Sequence, residues 1–174
     1  RSFSTLYFEL GNENWNDLFG GGGTRDYQIY GTIAHERFGA ARASPSYTPN
    51  IKFIVGSQAA NSWLTSQLQQ YSTNHDIVAI APYLYARDCP SNATWCPYGP
   101  HGGNRLSRFS NNEELFGPLF AEVQETSDAS QIGKIYPGLG ACTWCGYIAQ
   151  QKQTIERSSR PNTELAFYEF NLHS

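Results

Sequence analysis

The chain has 174 residues, 40% of them hydrophobic and 16% charged, which is enough to bury the core of one domain and too apolar for a disordered polyelectrolyte. Lys and Arg number 12 against 15 Asp and Glu; this net charge of -3 leaves no basic footprint and argues against nucleic acid as the main partner. The longest nearly apolar run, Ile77 to Ala86, holds a proline and two tyrosines and is too short to span a bilayer.

Taken in order, the segments alternate between strand-like and helix-like patterns. Thr5 to Leu10 reads as a strand ending at Gly11, and Asn12 to Thr24 as a loop with Gly20 to Gly23 at its tip. Arg25 to Ala43 reads as a helix, because Tyr30, Ile33, Ala34, Phe38 and Ala41 recur at helical spacing. Ser44 to Asn50, with two prolines, is a turn before a short buried strand at Ile51 to Val55. Asn61 or Ser62 is placed to cap a helix carrying Leu64, Leu68 and Tyr71 on one side. Asp76 to Ala81 is the next strand. Pro82 to Ser110 is long and irregular, the kind of loop that usually carries function. Asn112 then caps a stretch with Leu115, Phe116, Leu119, Phe120 and Val123 on one face, kinked or restarted at Gly117-Pro118. Tyr147 to Arg157 reads as a helix and Leu165 to Phe170 as the last strand. Such alternation predicts an α/β fold built of parallel β/α units. No composition shift marks a boundary, so residues 1–174 are expected to be a single domain or part of one. Met is absent even at position 1, and a processed or partial chain is expected.

The four cysteines admit two readings. They form disulfides, most simply Cys89–Cys96 and Cys142–Cys145, or together they form one zinc site. The gap between Cys89 and Cys96 is long for a structural zinc site, and Asn92-Ala93-Thr94 between them is an N-glycosylation pattern. Both features favour disulfides, glycosylation at Asn92 and secretion. A redox-active Cys142-Thr143-Trp144-Cys145 is the weaker alternative, since the motif does not open a helix after a first strand. His75, His101 and His173 share no ligand spacing, so no metal site is expected, and no cofactor is called for.

In parallel α/β folds, chemistry gathers at the C-terminal ends of the strands. Two predicted strand ends open into a loop at a glutamate: Leu10-Gly11-Asn12-Glu13-Asn14-Trp15 and Phe167-Tyr168-Glu169-Phe170-Asn171. Two carboxylates, one a proton donor and one a nucleophile, are what cleavage of a glycosidic bond requires.

Tyr7-Phe8-Glu9-Leu10-Gly11-Asn12-Glu13 resembles the Asn-Glu motif at the end of the fourth barrel strand in clan A glycoside hydrolases, closest in style to the α-L-arabinofuranosidase and related retaining families. The resemblance implies a (β/α)8 barrel, with Glu13 as acid/base, Asn12 holding the sugar 2-hydroxyl, and Glu169 as nucleophile at the seventh strand. It also implies a sugar contact from Tyr83 or Tyr85 near the sixth strand. Trp15 would add a stacking wall for a sugar ring. The chain matches the span from the fourth to the seventh strand, about four of eight. The remaining strands are expected from a longer polypeptide, another chain or a homo-oligomer.

Several other motifs carry less. Glu9 lies within the strand and is expected to bond structural groups. Asn14 and Asn171 are expected to cap turns. His35, mid-helix, is a surface or packing residue. Gly20 to Gly23 lacks the ending of a phosphate loop, and Gly56-Ser57-Gln58 lacks the second glycine of a nucleophile elbow. The predicted function is therefore retaining glycoside hydrolysis on a carbohydrate substrate. Its rival is a non-catalytic, self-assembling or sugar-binding protein on the same scaffold.

Overall fold

A computed structural model of the chain describes residues 3–11, 13–15, 26–84, 120, 122–136, 140–142 and 145–172. In chain order the elements are β1 (Leu6–Glu9), α1 (Tyr27–Arg42), β2 (Ile51–Gly56), α2 (Ser62–Tyr71), β3 (Ile77–Ile80) and β4 (Tyr83–Leu84). Then come α3 (residues 122–127), a 3-10 turn (Ala129–Gln131), β5 (Ile135–Tyr136), β6 (Gly140–Ala141), α4 (Tyr147–Glu156), β7 (Glu164–Phe167) and β8 (Asn171–Leu172). The chain divides into two compact units. One comprises Arg1–Ala81 with Gln151–Tyr168, the other Pro82–Gln150 with Glu169–Ser174.

The first unit is an α/β layer. Its four strands run in the order β1-β2-β3-β7, every pair parallel. Side chains alternate across a strand, so the register Phe8↔Phe53, Val55↔Val78 and Val78↔Leu165 puts these residues on one face. That face meets the helices: Tyr30, Ala34 and Phe38 of α1, Leu68 of α2 and Ile155 of α4 form one buried cluster with Phe53, Val55 and Val78. Phe38 and Phe53 stack with ring centroids 4.6 Å apart. The opposite face carries Tyr7, Glu9, Lys52, Ile54 and Gly56, in step with the register Tyr7↔Lys52 and Glu9↔Ile54.

The predicted alternation of strands and helices is observed, with changes at the ends. Helix α1 starts at Tyr27 because the Asp26 carboxylate caps it, accepting from the Gln28 and Ile29 N–H groups at 2.9 and 3.1 Å. Asn61 does occupy the cap position of α2, but its side chain makes no capping hydrogen bond. The predicted strand Leu165 to Phe170 is cut at Phe167. The last bond on this side runs from Tyr168 N–H to Ile80 O at 3.1 Å, and β3 is followed by Pro82, which has no N–H to extend a ladder. The predicted helix from Asn112 through Leu119 and the Gly20 to Gly23 tip lie outside the described residues. No helix among the described residues is long and apolar enough to cross a membrane.

In the second unit β4 pairs in parallel with β8, Tyr83 opposite Asn171. β5 and β6 form an antiparallel pair, Ile135 opposite Ala141. A disulfide joins Cys142 to Cys145. Gly146 follows with φ +66, and a Cβ there would come within 2.8 Å of the Asp128 carbonyl oxygen, so only glycine fits between this bridge and α4.

Below β3, at the N-terminal end of the sheet, His75 is fully buried and accepts the Arg160 guanidinium, which also donates to the Ser72 and His75 carbonyls. Burial first, and the Arg160 charge second, push the imidazole from 6.5 down to about 3. Between those values the unfolded chain binds a proton at His75 that the folded chain does not. Stability from this residue is therefore complete above pH 6.5 and is lost as pH falls toward 3, at about 1.4 kcal/mol per pH unit. His75→Gln is expected to flatten the pH dependence of the urea midpoint between pH 6.5 and 5. An unchanged slope would refute the assignment.

Candidate functional site

The C-terminal end of β1 is held by tyrosine and asparagine side chains. Tyr30 of α1 reaches over the core, donates its hydroxyl to Leu10 O at 3.2 Å and accepts Gly56 N–H at 3.1 Å. One phenol therefore ties the end of β1 to the end of β2. Burial pushes its ionisation up to about 12, so the hydroxyl stays a donor. Leu10 O also accepts Asn14 Nδ2 at 2.6 Å, and Asn14 is buried. Asn14 closes a turn, as expected, with its amide folded inward rather than into water.

Glu13 sits on that turn, buried, with φ +46. It is the one non-glycine residue with positive φ among the described residues. A side chain in this left-handed region costs energy, and such residues gather where the surrounding structure imposes a particular orientation. Tyr168, just past β7, donates its hydroxyl to Glu13 Oε1 at 3.0 Å. The indole Nε1 of Trp15 is buried and has no hydrogen-bond partner among the described residues. Nearby Glu9 ends β1. The residue is exposed overall, yet its carboxyl is half withdrawn from water, and its pKa is raised by that burial first and by the Glu13 charge second. Its Oε1 lies 3.2 Å from where a Cβ on Gly56 would stand, so the glycine leaves room for the carboxylate.

Glu169 and Tyr83 belong to the second unit. The Tyr83 hydroxyl donates to Glu169 Oε2 at 2.7 Å, and the Tyr147 hydroxyl donates to Tyr83 O at 3.4 Å. Each candidate carboxylate thus accepts a tyrosine hydroxyl within its own unit. Glu13 and Trp15 lie in the first unit, and Tyr83, Glu169, Cys142 and Cys145 in the second. Asn12, Tyr85, Cys89, Asn92, Cys96, His101 and His173 lie outside the described residues.

Two contributors were not singled out in the sequence. Tyr168 is one, just past the end of β7, and nothing in its local sequence marks it as a partner for Glu13. Tyr30 is the other: its spacing puts it in the core stripe of α1, and nothing in that spacing distinguishes a phenol that also bridges two strands. Ser57, at the end of β2, is fully buried with its Oγ 2.9 Å from Thr65 Oγ1; Thr65 in turn donates to Gln151 Oε1. Gln151 donates onward to Gln58 O and Ala59 O, so this polar set is structural. His35 is exposed, its ring beside Thr73 and Asn74, as expected for a surface position. Among the described residues no group of three or more His, Cys, Asp or Glu is placed to hold a metal ion.

Comparison with protein-family models, with curated proteins and with solved structures finds no match for this chain.

Tyr30→Phe removes the donor to Leu10 O and leaves the buried Gly56 N–H unpaired. The expected loss is about 1–3 kcal/mol in chemical denaturation, with faster amide exchange at Gly56. A variant as stable as the parent, with Gly56 still protected, would show that the bridge does not hold the two strand ends.

Proposed function

We propose that the chain forms part of a (β/α)8 barrel in a secreted retaining glycoside hydrolase, with Glu13 as acid/base and Glu169 as nucleophile. The observation that carries this reading is that both glutamates follow a parallel strand and each accepts a tyrosine hydroxyl, Tyr168 on Glu13 and Tyr83 on Glu169. Such donors help to orient a carboxylate. The parallel order β1-β2-β3-β7, with helices on one face, supports a barrel segment. The left-handed backbone at Glu13 and the unpartnered indole N–H of Trp15 support a built site over an ordinary loop. The Cys142–Cys145 disulfide supports an oxidising compartment.

In this mechanism the Glu169 carboxylate attacks the anomeric carbon while Glu13 protonates the leaving oxygen. A glycosyl ester on Glu169 results. Glu13 then takes a proton from water, which attacks the same carbon and releases the sugar with its original configuration. Tyr83 holds the Glu169 oxygen it bonds, so that the other faces the sugar. By the resemblance, Asn12 binds the 2-hydroxyl and Tyr83 or Tyr85 contacts the sugar, while Trp15 offers its ring and its N–H.

A second reading is a non-catalytic, self-assembling or sugar-binding protein on this scaffold. It is favoured by exposed Tyr7 and Phe8 in β1, with exposed Phe3 before it; the outer edge of β1 pairs with no other strand among the described residues.

The test is turnover of a panel of aryl glycosides by the natural protein. Glu13→Ala is expected to lose roughly 10²–10⁴-fold on substrates with poor leaving groups and far less on dinitrophenyl glycosides, which leave without protonation. Glu169→Gly is expected to be inactive and, with azide, to yield the glycosyl azide of inverted configuration. Parent-like turnover in both variants would overturn the assignment. A folded natural protein inert on the whole panel would favour the second reading.

A further inference from the structure

Trp63 takes no part in the reaction proposed above, yet it stands 59% exposed on the first turn of α2. A lone surface tryptophan is ordinary. This one has an aromatic neighbour: the Tyr27 ring, at the start of α1, meets it in a T-shaped contact with centroids 6.2 Å apart. A contact of that geometry covers at most one face of the indole. Helix α1 follows β1 and α2 follows β2, so both helix starts lie at the C-terminal end of the sheet, the end that carries Glu13. The Tyr27 hydroxyl lies 3.5 Å from the carbonyl oxygen of Trp15, two residues after Glu13.

The buried polar set behind α2 fixes the backbone that carries this ring. Thr65 is tied to Ser57 and to Gln151, and Gln151 donates to Gln58 O and Ala59 O at 3.0 and 2.7 Å. The Asn61 N–H donates to Gln58 O at 3.1 Å. The turn into α2 is thereby anchored to α4 as well as to β2. A ring on an anchored backbone gives up less freedom when a ligand stacks on it.

The surroundings of the ring are neutral and polar. From Gly56 to Asn74 the chain contains no Asp, Glu, Lys, Arg or His. Asn61 stands at the start of α2 without making a capping bond, and Gln67 lies one turn beyond Trp63 on the same helix face. Each amide offers both a donor and an acceptor. Asp26, next to Tyr27, is engaged as the cap of α1. Such a surface lacks the cations that a nucleic acid needs. It matches a sugar, whose C–H face stacks on an indole while its hydroxyls pair with neutral amides.

We propose that Trp63 and Tyr27 form a binding platform for a sugar unit of a neutral polysaccharide, with Asn61 and Gln67 serving its hydroxyls. The binding itself stands whether or not Glu13 is catalytic. That the platform engages the same chain that is cut beside Glu13, which makes a polymer the substrate, rests on the reading under the proposed function.

The test runs the natural protein in native gels cast with arabinoxylan, mixed-linkage β-glucan, galactomannan or arabinan, against a polysaccharide-free gel. Retardation by at least one of them is expected. Trp63→Ala, with the circular dichroism of the parent, is expected to weaken binding to that polysaccharide roughly tenfold, and Trp63→Phe to keep part of the affinity. A parent retarded by none of these polysaccharides, or a Trp63→Ala variant retarded like the parent, would overturn the proposal. If that variant instead sediments as a smaller species than the parent and is still retarded, the ring serves contact between copies, and the proposal falls too. Turnover of aryl glycosides in a protein that no polysaccharide retards would remove the platform and keep the catalytic reading. Retardation that depends on Trp63, in a protein that turns over no glycoside, would support the platform and remove only the catalytic reading.

Discussion

Asp76 sets where the strands of the first unit begin. Its carboxylate accepts both Arg42 and the Phe53 N–H, each at 2.8 Å, while its own N–H donates to Phe53 O at 2.8 Å and its carbonyl accepts Glu164 N–H at 3.0 Å. One residue therefore ties β2, β3, β7 and, through Arg42, the end of α1. A slip of one residue in any of these pairings would turn the core face toward the other side of the sheet. The same guanidinium lies over the rings of Phe53 and Tyr47, 5.1 and 5.4 Å from their centroids, so the ion pair is packed into the edge of the core rather than left in water.

With the lower ends of the strands fixed, the upper ends become the place where side chains can be aimed. Tyrosines do this repeatedly. In the first unit, Tyr30 joins β1 to β2 and Tyr168 reaches Glu13; within the second unit, taken by itself, Tyr83 reaches Glu169. A phenol suits the task because its ring packs as apolar mass while its hydroxyl serves a carboxylate or a carbonyl. Tyr30 does both at once, its ring in the core and its hydroxyl on two strand ends.

Much of the fold was legible because burial imposes a period on the chain. Tyr30, Ala34 and Phe38 recur every four residues and all three are buried against the sheet. The short run Ile77–Ile80 is apolar throughout because each of its residues is buried. Local signals failed at the ends. Asn61 stands at the cap of α2 without capping it, and the apolar run after Leu165 continues past the point where β3 stops offering partners. A capping side chain must find its geometry, and a strand must find a neighbour; composition supplies neither.

The sequence by itself determined the alternation of parallel strands and helices, the placing of Glu13 and Glu169 just beyond strand ends, and a Cys-x-x-Cys close enough to bridge. These follow from periodicity and spacing along one stretch of chain. Only the tertiary structure decided that Tyr168 serves Glu13, that Tyr83 serves Glu169, and that Tyr27 meets Trp63. Each of these pairs joins distant segments. Their meeting depends on sheet order and register, which arise from the packing of the whole unit and leave no mark on either residue's neighbours.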